Sequence, residues 1–140
     1  MRVTAALLAD AAAVERGKLY IHGGGWDTIH AISVPTTHPT MSVAILFRFE
    51  YSEALNDIPI LIELLDEDEN PLGPRVEGTV NVGHPPRSKP GAPIFVPQAI
   101  TITMLQLPKS GGYQFRITSA DRELATVPFM VALAPAPQPR

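Results

Sequence analysis

Four histidines, three consecutive glycines before the only tryptophan, and a dense run of carboxylates are the residues of this 140-residue chain whose types lend themselves to chemistry. Imidazole binds metals readily, but His22, His30, His38 and His84 fit no zinc spacing, with neither an HExxH pair nor two neighbouring histidines. His22 or His30 beside Asp27, brought together across a bent strand, would make a general base for a hydrolase with a dispersed site. The stretch His22-Gly23-Gly24-Gly25-Trp26-Asp27 exposes backbone N–H groups next to a large aromatic, and it is a candidate binding segment. It is no phosphate loop, because the Lys-Ser/Thr of that motif is missing. The plainer alternative is that the glycines bend a strand while Trp26 fills the core. A third use pairs Trp26 with Tyr20 as a stacking platform for a carbohydrate or another small ligand.

Two further patterns imitate known sites. Asp66, Asp68 and Asn70 stand two residues apart, with Glu77 eleven residues after Asp66, as in a calcium loop. The sixth position of that loop must be a sharply turning glycine, and here it is Pro71, so an ordinary acidic hairpin is the simpler expectation. Arg87, Pro90 and Pro93 fit the R-x-x-P-x-x-P arrangement of polyproline ligands, although proline-rich loops produce it by chance. The chain has no G-x-S-x-G elbow, no thiol, and no carboxylate pair that stands out from the acidic hairpin. The expectation therefore leans away from an enzyme, with no cofactor and no resident metal.

The elements that must position these residues are strands. Val43, Ile45, Phe47, Phe49 and Tyr51 alternate with Ala44, Leu46, Arg48 and Glu50; Val76, Val80 and Val82 alternate with Arg75, Glu77, Thr79 and Asn81. Ile100, Ile102 and Met104, then Tyr113, Phe115 and Ile117, repeat the pattern. Less regular strands are expected over Val3–Ala9, Lys18–His22, Gly25–Ile32, Ile58–Leu65 and Leu124–Leu133. Leu105 and Leu107 reverse the parity of Ile100–Met104, which predicts a bulge near residue 104. Pro128 predicts an edge strand or a bulge. Ala11–Arg16 reads as a helical turn. The turn residues Ser110-Gly111-Gly112 and Asp121-Arg122 predict consecutive hairpins, Asp68–Pro71 predicts another, and the proline-rich Gly83–Pro97 segment is expected to cross between sheets. The fold expected is all-β: an antiparallel sandwich of about 7 to 9 strands, immunoglobulin-like or C2-like, with no long helix. One domain over residues 1–133 and a mobile Pro/Ala-rich tail over 134–140 complete it.

Composition narrows the partners. A net charge of −3 argues against nucleic acid. Eight acids and no bases lie between Glu50 and Glu69, leaving 11 bases against 6 acids (14 − 8) elsewhere, a segregation that suits a protein partner or a second copy. No cysteine is present, which excludes disulfides and thiolate metal sites. No apolar stretch is long enough to span a membrane, and Asp10 interrupts the early apolar run, so the N-terminus reads as mature protein in the cytoplasm.

The opening LLADAA, then GKLYIHGGGWDTI, and the closing GGYQFRITSADRELATVPFMV resemble a family of short bacterial proteins known only as a domain of unknown function. The resemblance implies one compact β-sandwich and no reaction or catalytic residue. The function expected is a non-catalytic binding or assembly module acting on another protein or on itself, with a small-ligand binder as the alternative and a dispersed enzyme third.

Overall fold

A computed structural model describes residues 1–86 and 89–135 and is all-β, with no long helix. Nine strands follow in chain order: β1 (Arg2–Glu15), β2 (Lys18–Gly24), β3 (Thr28–Ala31), β4 (Thr36–Phe49), β5 (Asp57–Asp66), β6 (Pro71–Asn81), β7 (Ile94–Leu107), β8 (Gly111–Ser119) and β9 (Arg122–Leu133). They form a four-stranded sheet ordered β2-β1-β4-β7 and a five-stranded sheet ordered β3-β9-β8-β5-β6. The alternating residues of β4 and β8 close against each other as anticipated: Val43, Ile45, Phe47 and Phe49 meet Phe115 and Ile117 in one apolar cluster with Leu64, Val127 and Phe129. Each such side chain, removed from water, favours the fold by roughly 1.5–3 kcal/mol.

Several local expectations are corrected. Ala11–Arg16 is no helical turn: β1 runs on to Glu15 and folds back into β2 through Arg16 (φ 51) and Gly17 (φ 73). Two consecutive positive φ values are the type I′ pattern, whose twist suits a two-residue hairpin and overrides the helical preference of alanine. The arrangement is not wholly antiparallel, because β3 pairs parallel to β9. Ser110–Gly112 makes no hairpin; β7 and β8 lie in different sheets. That corner is held by Tyr113, whose hydroxyl donates to the Lys109 carbonyl at 2.6 Å and accepts from the Lys109 N–H at 3.1 Å.

The parity switch near residue 104 occurs without an inserted residue. Met104 takes φ 53, yet the β4–β7 register runs unbroken from Thr36↔Leu107 to Phe49↔Ile94. Both strands change phase together, with Pro39 and Thr40 exposed opposite Met104 and Thr103. Nor is β9 an edge strand: it lies between β3 and β8. Its pairing to β3 begins only at Met130, however, so Pro128 faces β8 on one side and no strand on the other. The β5–β6 and β8–β9 hairpins and the passage of the chain from the five-stranded to the four-stranded sheet between β6 and β7 agree with expectation. The tail from residue 136 and Arg87 lie outside the described residues.

Candidate functional site

The β1–β2 hairpin outgrows the sandwich. The last rung between β1 and β4 is Ala9↔Ser42, whereas β1 stays paired to β2 as far as Glu15↔Lys18. Among the described residues, 10–23 thus form an arm with no strand paired on the far side of β1 and none beyond β2. Side chains alternate across it, so Ala11, Ala13, Tyr20 and His22 share one face while Ala12, Val14, Leu19 and Ile21 share the other. Both faces are apolar and wet: Tyr20 is 55 % exposed, Ile21 41 % and Val14 40 %. Small alanines opposite Tyr20 and Ile21 leave a shallow depression of about 300 Å³ lined by Ala11–Ala13 and Tyr20–His22.

The glycine-rich candidate segment seats this arm. Gly23 has φ 63 and lies against the Asp10 carboxylate, where any Cβ would collide; a Cβ on Gly24 would strike the Ile21 and Leu7 side chains. Gly25 donates its N–H to the Leu8 carbonyl at 2.8 Å, and the Asp27 carbonyl accepts from Met130 N–H at 2.8 Å. The chain therefore passes from the four-stranded sheet to the five-stranded sheet over Gly25-Trp26-Asp27. Trp26 packs against the core with its ring 6.0 Å from His38, and its Nε1–H is buried without a hydrogen-bond partner among the described residues. Tyr20 stands on the arm instead, and the two aromatics make no shared platform.

The other candidates are dispersed. His22 is on β2 and His30 on β3, in different sheets, while the Asp27 carboxylate accepts from the Thr28 hydroxyl at 3.0 Å. Among the described residues neither imidazole makes a hydrogen bond to Asp27, and no three His or acidic residues gather as a metal site. Asp66 spends its Oδ1 on the N–H groups of Asp68 and Asn70, both at 2.9 Å. The Asn70 N–H holds this carboxyl below the usual carboxylate range, assisted by Asp68 N–H. Glu67 likewise accepts from Gly112 N–H at 2.5 Å. Pro90 and Pro93 are exposed, but the Lys89 carbonyl accepts from Ala92 N–H at 3.0 Å and Gly91 has φ 85. That is a type II turn, which bends the chain between the two prolines where a polyproline ligand runs straight.

Sequence reasoning placed a strand over Lys18–His22 and singled out Tyr20, but it read Ala11–Arg16 as a helical turn and so passed over the arm as a unit. The available signal was a run of seven apolar residues in two groups around Glu15-Arg16-Gly17-Lys18. The model of a family of unknown function, DUF6941, matches residues 4–132, while no curated protein and no solved structure matches.

Proposed function

We propose, for a chain that belongs to the DUF6941 family and inherits no assigned reaction from it, a non-catalytic binding or assembly module whose docking element is the β1–β2 arm. The observation that carries this reading is the exposure of Val14, Tyr20 and Ile21 on both faces of a hairpin that leaves the sandwich. An isolated two-stranded ribbon is marginal in water, and apolar side chains on both of its faces favour a covered state. The partner is a protein surface, because the depression on the arm is too open to enclose a small molecule. The strand order supports an immunoglobulin-like sandwich over a C2-like one: β9-β8-β5-β6 stand as G-F-C-C′ against β1-β4-β7 as A-B-E, with Tyr113 at the tyrosine corner. Among the described residues no helix is long and apolar enough to cross a membrane, and the cysteine-free composition supports a cytoplasmic setting.

The test compares the wild-type chain with a Tyr20→Ser/Ile21→Thr variant, both shown folded by circular dichroism, in affinity purification at fixed expression. A stoichiometric protein, this chain or another, held by the wild type and lost by the variant is the expected result. Equal recovery by both would remove the arm from the function.

A further inference from the structure

Among the described residues, β2 is the long sheet edge with the least protection against pairing, confined to a single left-handed glycine near its end. Edge strands ordinarily carry prolines, charges or irregularities that block strand addition. β6 has Pro71, Gly73 at φ 113 and Pro74, followed by Arg75 and Glu77. β7 has Pro97, which lacks an amide, and Met104 at φ 53. β3 is only four residues long. From Lys18 to His22, β2 holds no proline, no left-handed residue and a single charge at its end; its one irregularity is Gly23, at φ 63, next to the base of the arm.

We infer that this edge pairs antiparallel with β2 of a second copy of the chain, across a two-fold axis at Ile21. The inference rests on the arm being the docking element. The seven residues Lys18–Gly24 are centred on Ile21, so this register gives the greatest overlap. It sets Ile21 opposite Ile21 of the second copy, Tyr20 opposite His22, Leu19 opposite Gly23 and Lys18 opposite Gly24. No like charges face one another, and a ring meets a ring on each side of the axis. Beyond the last rung the tip of one arm, Glu15, Arg16 and Lys18 with one net positive charge, reaches the base of the other, where Asp10 lies against Gly23 and Asp27 stands two residues after Gly25. None of these five charges is in an ion pair within the single chain, among the described residues. The symmetry forms each such contact twice.

Interface size also favours strand pairing over side-chain contact. A specific interface covers roughly 800 Å² on each partner. Tyr20, Ile21 and Val14 alone fall short of that. Strand pairing adds the backbone edge of Lys18–Gly24 to the covered surface. The product is one continuous eight-stranded sheet, β7-β4-β1-β2 joined to β2-β1-β4-β7.

The natural absence of cysteine makes this directly testable. Residues directly opposite on antiparallel strands bring their Cα atoms to about 4.5–5.5 Å, within disulfide reach. Ile21→Cys and, as a control on a different surface, Ile32→Cys (Ile32 is 93 % exposed) are oxidised at low micromolar concentration and sedimented beside wild type. The expected result is a wild-type dimer, a disulfide-linked dimer for Ile21→Cys, none for Ile32→Cys, and a folded monomer for Ile21→Lys. A wild-type dimer that Ile21→Cys fails to cross-link overturns the two-fold pairing and leaves the assembly reading standing. A monomer that holds a different protein through the arm overturns the second copy as occupant. A monomer whose arm holds nothing overturns both.

Discussion

Gly23 and Gly24 of the GGGW segment act through what cannot fit beside them, whereas Gly25 has open space around it and a φ of 89°. At Gly23 a methyl group would meet the Asp10 carboxylate in a backbone conformation that already disfavours side chains. Gly23→Ala is expected to lower unfolding stability by roughly 1–3 kcal/mol, with part of the loss recovered when Asp10→Ala is added, as urea titrations of the single and double variants would show. Trp26 is a packing residue in this account. Its emission is expected to be blue and indifferent to added sugars, and Trp26→Ala to cost about 2 kcal/mol, less than a fully buried aromatic would. Asp66 supplies a pH dependence. Its folded carboxyl titrates below the ordinary range, so its contribution is complete above the unfolded value near 3.8 and disappears as pH falls through the folded one. The melting temperature of Asp66→Ala is therefore expected to lie below wild type at pH 6 and to converge with it in acid, while millimolar calcium shifts neither. A gap that widens on acidification would contradict the assignment.

Strands that separate core from solvent were easy to recognise in the chain, and the arm was not, for a physical reason. β8, and β4 from Ile45 to Phe49, bury one face more deeply than the other, so selection for burial writes an alternation that can be read directly. A hairpin that leaves the sandwich has no buried face, and Ala11-Ala12-Ala13-Val14 carries no polar beat to mark it as strand. Its turn, Arg16-Gly17, lacks the Asn-Gly or Asp-Gly that would announce a tight hairpin. Short glycine-rich links are ambiguous in the same way: Ser110-Gly111-Gly112 looks like a hairpin loop, but the chain uses it to change sheets around Tyr113. The candidate site was thus half legible. His22–Asp27 stood out by composition, whereas the surface it supports, residues 10–22, became visible only when strand pairing showed where β1 parts from β4.

For the whole molecule, stability and association reside in different places. Phe47 lies fully buried between the sheets, and Phe47→Ala is expected to cost about 3–5 kcal/mol at any protein concentration. Ile21→Lys removes little from the single chain but should abolish the rise of melting temperature with concentration that a dimer confers on the wild type. The most direct measurement is amide hydrogen exchange along β2 as a function of protein concentration. The outward-facing amides of Lys18–Gly24 are predicted to gain protection as concentration rises through the micromolar range, while the edge amides of β6, Val76–Val80, exchange at an unchanged rate. Rapid exchange throughout Lys18–Gly24 at every concentration would contradict the pairing of the arm with a second copy.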